Sequence, residues 1–247
     1  MALVNQFQAG TPTLGCPTLL READSVGRNQ PPRFDRVAAI YRPGEYLTFG
    51  PLLERCRFSF VPELAVSRRA LVLGDGDGRF LARLLASAPE LRAHAVDASP
   101  AMLRRLQARA ARLGAANRLT ATCTDIRRFA TAGSSSPDVY DLVATHFFLD
   151  CLTPAETDAL ALSLRPRLAP GAFWVISEFE VPDAGRLRAA FSRVTISGLY
   201  AAFRVLTGLR VRRIPPWRNS LARAGFTRRS SRSFLGGLLV AELWQLP

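Results

Sequence analysis

The sequence contains no lysine: all 33 of its basic residues are arginine. That absence removes the Gly-Lys-Ser/Thr loop that cradles phosphates, and with it nucleotide hydrolysis of the Walker type. It also makes arginine identity uninformative, because a uniform choice at every basic site reflects codon bias more than separate selections of a bidentate donor. Cysteine is sparse. Cys16, Cys56, Cys123 and Cys151 show no CxxC spacing and have no histidine companions, so they give no zinc-binding pattern and read as reduced, mostly buried thiols. Apolar runs such as Leu235 to Ala241, with two glycines inside it, fall far short of the roughly 20 residues that a membrane-spanning helix needs. A basic stretch followed by an apolar segment of about 7 to 15 residues is also missing at the amino-terminal end. No secretory signal is therefore expected, and a cytoplasmic location is.

Acidic residues are missing from one long segment. Between Gly185 and Ala241 there are twelve arginines and no acid, whereas the remaining chain sets 21 arginines against 20 acids. Nearly all of the formal net charge of +13 thus lies in the last quarter. Such a concentration suits an acidic substrate, an anionic membrane surface or nucleic acid, and equally an ordinary solvated face.

What is present describes a folded chain. At 247 residues, 48% hydrophobic and 21% charged, it can bury a full core in one domain, and disorder of the bulk is excluded. Residues 1–32 are rich in Pro, Gly, Thr and Asn and end in Pro31-Pro32, which predicts a loosely ordered arm ahead of a single domain over 33–247. Over 34–60 apolar residues recur at helical spacing, interrupted by Pro43-Gly44 and Gly50-Pro51, which predicts two short leading helices.

An alternation of strands and helices follows. ALVLGDGDGRF is an apolar run of strand length meeting a glycine loop and then a helix over 80–87. RAHAV at 92–96 is a second strand; Ser99 and Pro100 open a helix that runs to Leu113 and stops at Gly114. Strands are expected at 119–124, 140–147 and 173–179, with a helix from Thr153-Pro154 to Arg165. Strands that read as buried apolar runs between helices of 10 to 15 residues indicate an α/β fold, a parallel sheet doubly wound with helices on both faces. Residues 226–233 and 238–245, joined by a short glycine-containing link, predict a final antiparallel hairpin. No internal repeat is visible.

The glycines Gly74, Gly76 and Gly78 stand directly between the first strand and its helix. Their spacing lets backbone approach a ligand at the carboxyl edge of the sheet, where open α/β sheets bind ligands. A dinucleotide fingerprint would need a glycine at position 79, which is Arg79, so hydride chemistry is disfavoured. Asp97, at the end of the second strand, suits the two hydroxyls of a ribose, and a helix-start acid is the plainer reading. Asp125, after the third strand, is placed to meet an adenine amine, with Ile126 against the ring.

LVLGDGDGRF, HAVDASPAML, CTDI, YDLVATHFFLD and LRPRLAPGAFWVISEF, in this order, resemble the successive motifs of class I S-adenosylmethionine-dependent methyltransferases. The resemblance spans about 34–245, and FDRVAAIYRPGEYLTFG is similar to the leading helices of the small-molecule branch that includes quinone-precursor methyltransferases. It implies a Rossmann-like seven-stranded sheet with its last strand antiparallel, and S-adenosyl-L-methionine as cofactor. It further implies that Tyr41 or Tyr46 closes over the cofactor and that Gly74, Asp75, Gly76 and Gly78 line its methionine end. Asp97, with Ala98 and Met102 beside it, would take the ribose, and Asp125 with Ile126 the adenine. One departure matters: the family's acid two residues before the first glycine is Val72 here, so Asp75 or Asp77 would have to substitute in holding the methionine ammonium.

Methyl transfer from a sulfonium is an in-line displacement in which positioning and desolvation supply much of the catalysis. If a base assists, His146 and Asp150 at the end of the fourth strand are the candidates; an imidazole with an ordinary pKa near 6.5 suits a phenol or enol. His146 could equally hydrogen-bond cofactor or backbone. Phe147 and Phe148 could line a substrate pocket or belong to the core. A helix over about 186–207 would cap that pocket and offer Arg193, Tyr200 and Arg204 to the acceptor. The tetrapeptide Thr145-His146-Phe147-Phe148 lacks the signature of nucleic-acid amino-methylating enzymes. The leading expectation is therefore a small-molecule O- or C-methyltransferase. An RNA-modifying enzyme using the arginine-rich quarter, and a non-catalytic binding protein of the same fold, stay open.

Overall fold

Val72 shows how the first strand is built. In β1 (Arg69–Leu73), Ala70 and Val72 belong to one apolar cluster and Leu71 and Leu73 to another, all at most 1% exposed. A strand apolar at four successive positions must be covered on both faces there. The computed structural model describes residues 51–131, 139–180 and 215–247, and within them the two clusters lie on opposite faces of one sheet.

Seven strands form it: β1, β2 (Arg92–Asp97), β3 (Leu119–Cys123), β4 (Tyr140–His146), β5 (Leu168–Phe179), β6 (Thr227–Phe234) and β7 (Leu239–Gln245). Their order is β3-β2-β1-β4-β5-β7-β6. The first five pair in parallel, while β7 runs antiparallel to both β5 and β6. The order reverses between β1 and β4, and the carboxyl ends of the strands beside that reversal are where such sheets open a crevice.

The helices are α1 (Leu52–Arg57), α2 (Val61–Leu64), α3 (Arg79–Ser87), α4 (Pro100–Arg112), α5 (Ile126–Thr131), α6 (Pro154–Leu164) and α7 (Trp217–Arg223). Leu53 of α1, Phe80 and Leu84 of α3 and Leu106 of α4 belong to the cluster that holds Val72. Phe129, Leu160 and Leu221, from α5, α6 and α7, belong to the cluster that holds Leu71. Two starts carry local signals. The Ser99 side chain accepts from the Met102 N–H ahead of Pro100, and Thr153 and Glu156 form a reciprocal capping box.

The sheet, its antiparallel end and the helices on both faces are those expected. Some boundaries moved. β5 begins at Leu168, five residues before the expected start, because the strand absorbs Pro170-Gly171 as an irregularity opposite Tyr140 and Leu142. The short helices α2, α5 and α7 had no expectation attached. The arm over 1–32, the first leading helix and the cap helix lie outside the described residues. Cys56 is buried, but Cys123 and Cys151 are only half-buried; all three are free thiols.

Candidate active site

The loop from Gly74 to Gly78 turns at the carboxyl end of β1 with all three glycines in the left-handed region, at φ 66°, 60° and 79°. Each is glycine for a different reason. A Cβ on Gly78 would lie 2.6 Å from the Leu106 side chain of α4, so this residue lets the loop and helix meet. A Cβ on Gly74 would lie 2.2 Å from the Phe148 ring. Nothing lies within 4 Å of the Cβ position of Gly76, which leaves that stretch of backbone open to a ligand.

The two acids of the loop have different surroundings. Asp77 is held by Arg79 at 2.9 Å and by Arg109 at 2.7 Å, and these charges hold its carboxyl below the ordinary range against the opposing effect of burial. Asp75 accepts the Leu81 N–H at 3.0 Å through Oδ2, while its buried Oδ1 has no hydrogen-bond partner among the described residues. Burial pushes its pKa up to about 7. Val72, at the position of the family's acid, is a core residue 1% exposed.

Asp97 is half-buried at the end of β2, and its Oδ1 accepts the Ser99 N–H at 2.8 Å. It therefore does the work of a helix-start acid whatever else it binds. Ala98 beside it is exposed; Met102, one turn into α4, is buried. Asp125 accepts the Arg127 N–H at 2.8 Å and forms an ion pair with the same guanidinium at 3.3 Å. Arg127 also reaches Glu156 at 2.6 Å, tying the segment after β3 to the start of α6. Ile126 is 8% exposed and shares a cluster with Leu73 and Val96. His94 is locked between the Tyr140 hydroxyl and Thr122 Oγ1, both at 2.8 Å, as befits a structural residue.

After β4 the chain makes a strained turn. Phe147 takes φ 53°, a conformation costing a non-glycine residue about 1 kcal/mol or more. Its N–H still bonds to the Ser177 carbonyl at 2.7 Å, and its ring lies tilted against that of Phe179, with centroids 5.1 Å apart. The next two amides, of Phe148 and Leu149, both donate to Glu178 Oε1, at 3.0 and 2.7 Å. Glu178 is fully buried in β5, and burial together with the charge of Asp150 pushes its carboxyl well above the ordinary range. Asp150 lies in a short 3-10 turn, Leu149–Cys151, and is 7% exposed. His146 is 4% exposed, with Nδ1 2.9 Å from Ser177 Oγ and its ring 4.1 Å from that of Phe80. Its Nε2 is buried with no partner among the described residues. Burial, aided by the positive charge of Arg57, holds the imidazole well below its ordinary pKa, so it is neutral at pH 7.

The structure therefore gathers Gly76, Asp75, Asp97 and Asp125 at the ends of successive strands, with His146, Phe147 and Asp150 at the end of β4. Tyr41, Tyr46, Arg193, Tyr200 and Arg204 lie outside the described residues. Glu178 had not been singled out, although an acid between Ile176, Ser177 and Phe179 in an apolar central strand must be buried and is a signal in itself. Among the described arginines of the basic quarter, several are paired with acids. Arg218 pairs with Glu180 and Glu242, Arg228 with Glu242, Arg223 with Asp158 and Arg232 with Glu63.

Residues 71–174, from β1 into β5, match a family described as a methyltransferase domain. These residues make up about two-fifths of the chain. Solved structures are similar to it in fold. An O-methyltransferase family protein from Burkholderia thailandensis superposes with a TM-score of 0.63 at 18% identity, over 86% of this chain and 60% of that one. The mitomycin 7-O-methyltransferase MmcR gives 0.61 at 14%, over 87% and 61%. The N,N-8-amino-8-demethyl-D-riboflavin dimethyltransferase RosA from Streptomyces davawensis gives 0.59 at 19%, over 87% and 62%. The chain thus spans about three-fifths of the length of these structures. No curated protein matches it in sequence. Among the described residues no helix is long and apolar enough to cross a membrane, and no group of His, Cys, Asp and Glu could hold a metal ion.

Proposed function

We propose that this methyltransferase domain moves a methyl group from S-adenosyl-L-methionine to oxygen or carbon of a small-molecule acceptor, releasing S-adenosyl-L-homocysteine. The observation that carries the reading is the juxtaposition, at the carboxyl ends of β1, β2 and β3, of an open left-handed Gly76, a half-buried Asp97 and Asp125. An acid at the end of β2 suits the ribose hydroxyls, and the unpartnered Asp75 Oδ1 suits a cationic group of the ligand. Among the similar structures, MmcR is by its name an O-methyltransferase of a small molecule, in keeping with this acceptor class.

When bound, the cofactor would supply an electrophilic methyl on a sulfonium, which becomes a neutral thioether once the methyl has passed to the acceptor. The protein contributes alignment and exclusion of water. The turn after β4, fixed by Glu178 against the strain of Phe147, sets the wall on which the acceptor would lie. A neutral His146 is in the protonation state a base requires, and with Asp150 it is the group to take the acceptor's proton. Its depressed pKa makes it a weak base, so an acceptor whose own proton is already acidic suits this site best.

The test is calorimetric titration of the purified chain with S-adenosylmethionine and S-adenosylhomocysteine, repeated on Asp97→Ala. Hydrogen bonds to a charged acceptor are worth about 1.5–3 kcal/mol, so the variant should bind roughly 10- to 100-fold more weakly. Absence of binding by the wild-type chain, or an unchanged affinity in Asp97→Ala, would overturn the assignment.

A further inference from the structure

Ser177 stands opposite His146 in the sheet and holds it twice. The two are register partners between β4 and β5. The Ser177 carbonyl accepts the N–H of Phe147, the residue after His146, at 2.7 Å, and Ser177 Oγ lies 2.9 Å from His146 Nδ1. His146 ends β4, beside the reversal of strand order where such sheets open a crevice. Ser177 is fully buried, and a buried hydroxyl persists in a central strand only where its bonds are made.

Those bonds decide where the neutral imidazole carries its one proton. The Ser177 hydroxyl donates to the Cys56 carbonyl of α1, at 3.4 Å. The Cys56 thiol reaches the same hydroxyl, but burial pushes the thiol up to about 12, so it stays an S–H and is a weak acceptor. With its single proton directed to the carbonyl, Ser177 Oγ accepts from the ring, which requires the proton on Nδ1. The opposite tautomer would also place an N–H at Nε2, which is buried with no partner among the described residues, and an orphaned buried donor is rarer than an orphaned lone pair. Both arguments give the Nδ1–H form, with the lone pair of Nε2 turned away from Ser177.

We infer that Ser177 is a positioning residue for methyl transfer: it fixes His146 as the Nδ1–H tautomer and so presents Nε2 as the atom that takes the acceptor's proton. The inference rests on the reading of the site as one for methyl transfer to a small molecule, with His146 as its base. The acceptor's O–H or C–H bond breaks, its proton bonds to the Nε2 lone pair, and the electrons left behind are those with which the acceptor's oxygen or carbon takes the methyl. The imidazolium gives that proton to water as the products leave, while Nδ1 keeps its own proton and its bond to Ser177. In the other tautomer Nε2 has no lone pair to offer, and a base held in the wrong tautomer cannot act.

The experiment is long-range nitrogen–proton correlation NMR on the full chain carrying isotope-labelled histidine. The chain has two histidines, and His94, bonded at both ring nitrogens, serves as the internal reference. In the wild type Nδ1 of His146 should resonate as a protonated ring nitrogen and Nε2 as an unprotonated one. Saturating S-adenosylhomocysteine should move the Nε2 resonance and keep the tautomer. In Ser177→Ala the tautomer ratio should shift towards Nε2–H by about 2- to 10-fold, as loss of one hydrogen bond implies. Its S-adenosylhomocysteine affinity should stay within about 2-fold of the wild type, which with unchanged His94 resonances shows that the variant is folded. Ser177→Thr, which keeps the oxygen, should retain the wild-type pattern. The inference is overturned by a wild-type ring protonated at Nε2, which is read without any variant, by a tautomer ratio that Ser177→Ala does not move, or by bound S-adenosylhomocysteine that shifts neither nitrogen of His146. Failure of the wild-type chain to bind S-adenosylhomocysteine would instead remove the cofactor reading itself, and with it the role given to Nε2.

Discussion

The ring of Phe148 occupies the space that a side chain on Gly74 would need, with Cδ2 only 2.2 Å from the Cβ position. The first glycine of the loop is thus required by a protein contact, and the approach left open to a ligand is at Gly76. Gly74→Ala should cost about 2–4 kcal/mol, combining left-handed backbone strain with overpacking. Phe148→Ala in the same chain removes the clash, so the double variant should be less destabilised than the sum of the two singles. Urea unfolding of the four proteins measures the difference; strict additivity would show that the ring yields freely.

Gly76→Ala and Gly78→Ala form a second contrast. Both residues have positive φ, but an added methyl meets Leu106 at 2.6 Å at position 78 and nothing within 4 Å at position 76. Gly78→Ala should be the less stable protein by about 1–3 kcal/mol. Gly76→Ala should keep most of its stability and lose cofactor affinity, which thermal melts and calorimetry separate.

Asp75 gives stability a measurable pH dependence. Burial holds its carboxyl at about 7 in the folded chain, against an ordinary value of 3.8, so between those values the folded state holds the proton more tightly than the unfolded state does. Its contribution therefore falls as pH rises through that window, by at most about 1.4 kcal/mol per pH unit. His146 acts in the opposite sense: an imidazole held well below 6.5 lowers stability as pH falls through the unfolded value. Asp75→Asn should consequently gain stability relative to the wild type as pH is raised from 4 to 7, and equal slopes in the two proteins would contradict the raised carboxyl.

Glu178 should be replaceable by glutamine and not by leucine. Glutamine keeps an oxygen for the Phe148 and Leu149 amides, and it matches the neutral form that burial already favours. Leucine leaves two buried N–H groups unpaired, at about 1–3 kcal/mol each. Denaturant midpoints at pH 7 should rank the wild type and Glu178→Gln together, well above Glu178→Leu.

His146 should show no titration near its ordinary value. Its ring is buried against Phe80 and hydrogen-bonded to Ser177, so its imidazole resonances should stay constant from pH 6 to pH 8. A methyl-transfer rate limited by this group would likewise have no inflection near 6.5, and an NMR titration with a midpoint there would show an imidazole open to solvent.

Much of this architecture was legible in the chain. Strands such as LVL and the LVA of YDLVATH are apolar at successive positions because helices cover both of their faces, and Ser99, Thr153 and the glycines name their own turns. The short helices α2, α5 and α7 were not legible, since at four to seven residues they offer barely one period of amphipathic pattern and no side-chain cap is found at α2 or α7. Nor could spacing separate Asp75 from Asp77. Their difference arises from Arg79 and Arg109, and Arg109 comes from a helix 32 residues away in sequence. The left-handed Phe147 is likewise a tertiary effect, imposed by Glu178 from the neighbouring strand.

The strand β6 closes one side of the sheet, and its sequence, TRRSSRSF, exposes six of its eight positions to solvent. A free strand border offers unpaired amides and carbonyls to any other extended chain, and cationic side chains along it make that approach unfavourable. Arg228 and Arg232 are paired with Glu242 and Glu63, whereas Arg229 meets only the neutral Gln245 side chain among the described residues, so Arg229 does for this border what a lysine does elsewhere. A cation there disfavours the addition of a second copy strand upon strand, so that Arg229→Gln should show first as precipitation in concentrated solution.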